Sequence, residues 1–309
     1  TSSITTQEIY GCTDTLMSNY NPLATLDDGS CVVSFCRKRY WAKHITDHTN
    51  STGYAAARTV ITSKNSNIFL GLHNTNSTVN ILDTTLVTSG NLDFRFALAS
   101  ISSDGNLNWA VNPTNMSSNC NWGAQLGDFS VNTNNETFAV MTGHCINSLT
   151  LGNYSISGFG VNATDQSCLI AKLDSSGVTE NIVHIGNDRD AWIAANNDNV
   201  FIVGYAWEQA MLNDPLPSPP HTTFIQKLDN NLNHIWTLYS IANIDPYSPS
   251  LLNGDIYFLA DLQYTNTSGI IIFQDANLYI DTIDASSFSG DRMLIKLDEY
   301  GHIASYNGG

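Results

Sequence analysis

The segment of residues 11–31, GCTDTLMSNYNPLATLDDGSC, contains the side chains best suited to chemistry in this sequence. Two cysteines frame a run rich in side-chain oxygens, and calcium takes about six to eight oxygen ligands. The spacing is not that of an EF-hand loop, and the same side chains could instead cap turns around a small core closed by a Cys12–Cys31 disulfide. Both interpretations stay open. The candidate calcium ligands are Asp14, Asn19, Asn21, Asp27 and Asp28.

Two further groups have spacings that could support catalysis or metal binding. His44 and His48 in HITDH have the four-residue spacing that places two imidazoles on one helix face for zinc, but the surrounding residues are not helix formers and no third ligand follows. Asp188 and Asp190 in GNDRDAW could be paired carboxylates for glycoside hydrolysis, yet neighbouring turn residues seldom span a cleft. We therefore predict a protein that is not an enzyme and has no cofactor beyond the candidate calcium.

The composition limits the class of protein. Asp and Glu number 28 against 12 Lys and Arg, giving a net charge of −16, which disfavours nucleic acid as a partner because phosphates are neutralised by clustered basic residues. The acidic residues are mostly Asp beside Gly, Asn and Ser, a turn-rich composition that predicts little helix. We expect no membrane span, because no apolar stretch reaches about 18 residues.

Cysteines and glycosylation sequons favour an extracellular location, either secreted or at the cell surface. The strongest cysteine pair is the local Cys12–Cys31, although six cysteines allow about fifteen pairings. The weaker candidate pairs are Cys120 with Cys145 and Cys36 with Cys168. Sequons in an exported chain are candidate glycan sites. They occur at Asn50, Asn76, Asn115, Asn135, Asn153, Asn162 and Asn266.

A repeated pattern must supply the elements that position these groups. An apolar strand, a tight Asp/Ser/Asn/Gly turn and a short second strand recur at 96–109, 168–181, 223–236 and 292–305. A polar turn followed by a nearly continuous apolar strand recurs at 63–72, 132–143, 195–205 and 251–262. Alternating segments at 79–87, 148–156 and 277–283 are predicted to be a third strand. The repeat unit is thus a four-stranded antiparallel sheet, with Trp41, Trp109 and Trp236 predicted to pack between units.

The order of these segments resembles the beta-propeller-repeat family. The resemblance is carried by KLDSSG (172–177), KLDNNL (227–232) and KLDEYG (296–301), although the first unit lacks KLD and the second and fourth units lack the closing Trp. It implies an all-β fold, a β-propeller of four-stranded antiparallel blades. Four units are complete, HIASYNGG (302–309) resembles the opening of a fifth, and SFCRKRYW (34–41) could supply a closing strand. The ring is then sealed by its own ends or left open for another molecule.

The N-terminal segment resembles a short cysteine-bound motif of secreted and cell-surface proteins. The expected domains are a disulfide-stapled module at residues 1–31 and the β-propeller at residues 32–309. The expected function is that of a structural or adhesive glycoprotein, a subunit of a surface layer or extracellular fibre assembled through strand or end-to-end contacts. Its expected partners are other copies of the chain and surface glycans. The alternative is a carbohydrate-binding or carbohydrate-cleaving propeller, whose ligand site would lie at the loop-lined mouth of the ring.

Overall fold

The protein has an all-β architecture. The computed structural model describes residues 8–32 apart from 16 and 18, then 59–74, 78–87, 95–118, 124–144, 146–157, 166–211, 222–240, 244–262, 270–275, 280–284, 286 and 292–308. Within these ranges every regular element is a strand, and no helix has the length and apolar character needed to cross a bilayer. The chain divides into two compact units, residues 1–42 and 43–309.

The first unit is a small module built on a disulfide and a short parallel pairing. Strand β1 (Tyr10–Gly11) pairs in parallel with β2 (Leu26–Asp27). The disulfide joins Cys12 and Cys31, whose Cα atoms lie 4.7 Å apart. Cys12 is buried and most other described residues of the module are exposed, so the covalent bond replaces the apolar core that so short a segment lacks.

The described residues of the second unit form twenty-two strands. They are β3 (Thr59–Lys64), β4 (Asn67–Asn74), β5 (Thr78–Ile81), β6 (Thr84–Val87), β7 (Arg95–Ser102), β8 (Leu107–Val111), β9 (Pro113–Ser118), β10 (Ala124–Val131), β11 (Thr137–His144), β12 (Ile146–Leu151), β13 (Tyr154–Ser157), β14 (Gln166–Leu173), β15 (Thr179–Ala195), β16 (Asn199–Met211), β17 (Thr222–Asp229), β18 (His234–Ser240), β19 (Ile244–Leu252), β20 (Asp255–Leu262), β21 (Ile270–Asp275), β22 (Ile280–Asp284), β23 (Arg292–Leu297) and β24 (Ile303–Gly308).

Four successive antiparallel groups of four strands repeat along this unit. Sheet 1 is β3-β4-β7-β8, sheet 2 is β10-β11-β14 with the first part of β15, sheet 3 is the last part of β15 with β16-β17-β18, and sheet 4 is β19-β20-β23-β24. The shared strand β15 shifts register on either side of Asp188, where it passes from sheet 2 to sheet 3. The predicted four-stranded antiparallel repeat is therefore confirmed.

Two of the three segments predicted as a third strand are instead hairpins, and all three segments lie between the second and third strands of a sheet. Residues 79–87 lie in the hairpin β5–β6 and residues 148–156 lie in β12–β13, whereas residues 280–283 lie in the single strand β22, which pairs with β21. The prediction of a single strand was wrong for 79–87 and 148–156, because two-residue turns at Leu82 and Gly152 reverse the chain there. Strand β12 also pairs with β9, which follows the last strand of sheet 1 along the chain, and β21 pairs with β18, the last strand of sheet 3. The hairpins β12–β13 and β21–β22 therefore pair with a strand at the end of the preceding sheet.

The repeated strands are buried on both faces because consecutive sheets pack face to face. In β11, Ala139 and Met141 lie in the cluster shared with sheet 1, whereas Phe138 and Val140 lie in the cluster shared with sheet 3. Strand β16 continues this alternation, with even-numbered residues facing sheet 2 and Phe201 facing sheet 4. Three apolar clusters thus hold the four sheets in sequence order, which explains the nearly continuous apolar runs in these strands.

The C-terminal segment completes sheet 4. HIASYNGG (302–309) was expected to open a fifth unit, but β24 pairs antiparallel with β23 as the fourth strand of sheet 4. The candidate closing strand SFCRKRYW (34–41) lies outside the described residues.

Candidate assembly interfaces

One turn geometry recurs between the third and fourth strands of all four sheets. In sheet 2, the Asp174 carboxylate accepts the backbone N–H groups of Ser176 and Val178, both at 2.9 Å. Burial opposes ionisation of Asp174, but these hydrogen bonds outweigh it and hold the pKa below its ordinary value. The equivalent acceptors in sheets 1, 3 and 4 are the side chains of Ser102, Asp229 and Asp298. The strand, tight turn and second strand predicted for residues 96–109 are thereby confirmed.

The fourth residue of each turn has a positive φ. Glycine fills it in three sheets, as Gly105 at 80°, Gly177 at 82° and Gly301 at 91°. In sheet 3 the position is Leu232 at 67°, a conformation that costs a non-glycine residue about 1–2 kcal/mol. Leu232 is 5% exposed and belongs to the cluster between sheets 2 and 3, so its packing offsets this strain.

Trp109 covers the turn of the next sheet. Its indole Nε1–H donates to the Ser175 carbonyl at 3.2 Å, and its ring packs edge-on to Phe69 with centroids 6.1 Å apart. A Cβ atom at Gly177 would lie 2.6 Å from Cδ2 of that ring. Glycine is therefore required here by both backbone conformation and the indole above it.

Trp236 repeats this arrangement between sheets 3 and 4. Its Nε1–H donates to the Glu299 carbonyl at 3.4 Å, and its ring lies edge-on to Phe201 at 6.0 Å. A Cβ atom at Gly301 would lie 3.3 Å from Cζ2 of the indole. The prediction that Trp109 and Trp236 pack between units is confirmed, while Trp41 lies outside the described residues.

Asn181 takes the place of tryptophan between sheets 2 and 3. Its side-chain amide donates to the Asn231 carbonyl at 3.0 Å, one residue further along the turn than the tryptophan bonds. No tryptophan stands at the equivalent position among the described residues, and the bulky Leu232 stands where the other junctions have glycine. The pairing of Asn181 with Leu232 does not follow from the sequence alone, although KLDNNL and the missing Trp of the preceding unit are both visible in it.

Lys172 forms a polar link at the same junction. Its ammonium lies 3.0 Å from Glu136 and 2.9 Å from Glu180. Burial lowers the pKa of Lys172, but hydrogen bonds and charge from the two carboxylates outweigh it, so the pKa lies above its ordinary value. Asn230, in the turn of sheet 3, donates to Glu136 at 3.4 Å and connects this ion network to the next sheet.

Side chains in the first strand of sheet 2 accept hydrogen bonds from the backbone of the first strand of sheet 3. Asp128 Oδ2 accepts the Ile193 N–H at 3.1 Å, and Ser130 Oγ accepts the Ala195 N–H at 2.9 Å. Burial raises the pKa of Asp128 to about 6 despite hydrogen bonds from Ile193 and Phe129. A carboxyl group with this pKa makes the junction between sheets 2 and 3 sensitive to mildly acidic pH.

Adjacent turns between first and second strands are also linked. The Asn65 amide donates to the Thr133 carbonyl at 2.7 Å, and the Thr133 hydroxyl donates to Asn197 Oδ1 at 2.8 Å. These residues lie in equivalent turns of sheets 1, 2 and 3. The hydrogen bonds therefore fix the order and spacing of the sheets at one end of their strands.

Among the described strands, none packs against the face of sheet 4 turned away from sheet 3, which is therefore called the open face. Lys227 of sheet 3 donates to the Glu299 carbonyl at 2.8 Å across a covered junction, whereas its equivalent Lys296 pairs with Asp255 of its own sheet at 2.7 Å. Leu259 and Leu294 on this face are 36% and 43% exposed. Three apolar residues occupy equivalent positions on this face of each sheet. They are Phe138, Val140 and Ile170 in sheet 2, Phe201, Val203 and Ile225 in sheet 3, and Tyr257, Leu259 and Leu294 in sheet 4.

The candidate calcium ligands act as turn caps in the N-terminal module. Asn21 Oδ1 accepts the Leu23 N–H at 3.0 Å, and Asn19 Oδ1 accepts the Val32 N–H at 2.7 Å. Asp27 and Asp28 accept the N–H groups two residues further on, both at 2.9 Å, and Asp14 is exposed. Among the described residues, no three His, Cys, Asp or Glu side chains gather in a way that could hold a metal. Calcium binding stays a prediction.

The other candidate residues are only partly described. Asn115 and Asn153 are exposed, Asn135 is half-buried, and Asn50, Asn76, Asn162 and Asn266 lie outside the described residues. Cys168 is buried in β14, while Cys36, Cys120 and Cys145 also lie outside them, as do His44 and His48. GNDRDAW lies within β15, so the turn expected for Asp188 and Asp190 was wrong.

No protein-family model matches the sequence, and a search of curated proteins finds no match.

Proposed function

We propose that this protein is an extracellular structural or adhesive glycoprotein, a subunit of a surface layer or fibre, built on a β-propeller that follows a disulfide-stapled module. The observation that carries the proposal is the open face of sheet 4, which has the same construction as the contact faces of sheets 2 and 3. An exposed face that has the composition of a sheet-packing surface is a docking surface for another molecule. A subunit assembled end to end needs such a surface.

Three features support the extracellular and propeller parts of this proposal. The Cys12–Cys31 disulfide suits an oxidising compartment. Exposed Asn115 and Asn153 leave room for glycans on the hairpin side of sheet 2. Four sheets that pack in sequence order, each locked to the turn of the next, fit radial stacking. The function therefore rests on repeated packing surfaces rather than on a catalytic group.

The test is the assembly state of the protein secreted from a eukaryotic host. Sedimentation velocity and negative-stain electron microscopy would follow it from micromolar to submillimolar concentration, with and without calcium, before and after enzymatic removal of N-glycans. We expect oligomers or fibres and a mass decrease on deglycosylation. A chain that stays monomeric under every condition and does not bind to cell surfaces contradicts the proposal.

A further inference from the structure

The open face of sheet 4 has a defined composition. Its centre is a cross-strand row in which Tyr247 pairs with Leu259, Leu259 with Leu294, and Leu294 with Asn307. Strand alternation places this row opposite Phe258 and Ile295, which face sheet 3. Adjacent apolar side chains on neighbouring strands form a continuous surface, whereas single exposed leucines do not.

Paired charges flank this row on both sides. Arg292 lies 3.1 Å from Asp261, which also accepts the Tyr247 hydroxyl at 2.9 Å. On the other side, Lys296 lies 2.7 Å from Asp255. Asp245 lies on the same face, directly across from Asp261, so the face holds two of the chain's 12 basic residues beside three acids, on a molecule of net charge −16. Two copies that meet through this face therefore meet less acidic repulsion than the net charge of the whole chain would give.

Sheet 1 does not fit as the occupant of this face. The residues of sheet 1 that point away from sheet 2, including Leu70, Ala99 and Ile101, are already buried. Ser305 of sheet 4 stands at the position of Trp109 and Trp236, so it offers no indole to cover a glycine turn such as that of Gly105. The two faces therefore match neither within one chain nor between successive copies.

We infer that the open face of sheet 4 binds the same face of a second copy of the chain around a two-fold axis. In such a contact residue i of one copy meets residue j of the other and j meets i, so an apolar row on the axis packs on its own copy and the flanking ion pairs meet charges of both signs. This pairing rests on the proposed self-assembly and specifies one contact that it uses, because a two-fold contact closes on itself and a layer or fibre needs a second contact as well.

The face is small for a stable interface. Four strands about 4.8 Å apart, each about 20–25 Å long, give roughly 400 Å² per partner. This is about half of a standard stable interface. We therefore expect a weak, reversible dimer, and added salt should strengthen it because it screens the overall negative charge.

The experiment is sedimentation velocity of the full chain from about 5 to 500 µM, with Leu294→Lys and Leu259→Lys as test variants. Each introduces a charge into the apolar row at an already exposed position, so the fold should remain, as circular dichroism would verify. Val178→Lys is the matched control, because Val178 is 50% exposed and lies outside this face. We expect both test variants to weaken the dimer at least tenfold and the control to leave it unchanged.

Three outcomes overturn the inference. The first is a wild-type chain that stays monomeric over the whole range. The second is a dimer that survives both lysine substitutions. The third is a monomer whose melting temperature falls in Leu294→Lys but not in Val178→Lys, which would identify the chain itself as the occupant of the face. Fibres that persist unchanged in Leu294→Lys would leave the proposed function standing while removing this contact from it.

Discussion

The junctions between sheets 1 and 2 and between sheets 3 and 4 differ from the central junction between sheets 2 and 3. The two outer junctions place a tryptophan over a glycine, with the indole N–H bonded to a turn carbonyl. The central junction has Asn181 and Leu232 instead, and adds the Lys172 network and the Asp128 and Ser130 hydrogen bonds. The same turn geometry is thus compatible either with a tryptophan over a glycine or with an asparagine beside a leucine, provided that both positions change together.

The largest expected effect is that of Gly177→Ala at a tryptophan junction. The substitution forces alanine into a left-handed conformation and pushes its Cβ into the Trp109 ring, whose rigid neighbours cannot yield. We expect a loss of about 4 kcal/mol in the free energy of unfolding, from strain of about 1–2 and overpacking of about 1–3 kcal/mol. Denaturant unfolding followed by tryptophan fluorescence measures it.

Gly254→Ala and Gly301→Ala are the matched controls for this prediction. Gly254 has a φ of 90° but no atom within 4 Å of an added Cβ, so it reports the conformational strain alone. Gly301 should give an intermediate loss, because its nearest contact is 3.2 Å from Leu238. Equal losses at all three positions would show that the indole contact contributes nothing.

The central junction should respond to pH through Asp128. Its folded pKa of about 6 lies above the unfolded value, so protonation favours the folded state, and this contribution is complete below about pH 4 and lost as the pH rises through 6. In Asp128→Asn the contribution disappears. The deficit of the variant relative to wild type should grow by about 2 kcal/mol as the pH falls from 7 to 4.

Urea unfolding at a series of pH values measures this difference, in which other titrating groups cancel. Ser130→Ala is the control, because it removes the neighbouring hydrogen bond to Ala195 without removing a titrating group. Its deficit should be independent of pH. A constant deficit for Asp128→Asn as well would mean that the carboxyl group titrates normally at this junction.

A smaller but more specific effect tests the reciprocity of Asn181 and Leu232. Asn181→Trp alone should cost about 2 kcal/mol, since the indole meets the leucine, and Leu232→Gly alone should cost a similar amount through the cavity it leaves. The double variant recreates a tryptophan junction. Its loss should fall below the sum of the single losses by at least about 1.5 kcal/mol in a double-mutant cycle. Additive losses would refute the matching of the two positions.

Composition and periodicity were sufficient to predict the repeated four-stranded sheets, since continuous apolar runs such as the one around Val140 require cover on both faces. The turn signature also located Trp109 and Trp236 between units. The inserted hairpins were missed because alternation predicts a strand but not a two-residue reversal such as that at Gly152. The sequence also did not reveal which residues meet at the central junction, because Asn181 and Leu232 are 51 residues apart and neither is unusual in its own segment.

The smallest expected effect concerns the N-terminal module, where the same kinds of side chain could serve metal binding or turn capping. Asn21, Asp27 and Asp28 already direct an oxygen to the backbone N–H two residues further on, and Asn19 directs one to the N–H of Val32. A calcium ion would compete with these hydrogen bonds for the same oxygens. We therefore expect millimolar calcium to change the melting temperature by less than about 1 °C, since binding shifts stability only in proportion to its affinity for the folded state.

The measurement is differential scanning calorimetry with calcium or with a chelator, and magnesium serves as the control for ionic strength. A calcium-specific rise of several degrees, abolished in Asp27→Asn with Asp28→Asn, would instead favour the metal site, because the amide variants keep the capping oxygens and lose the charges that a divalent cation requires.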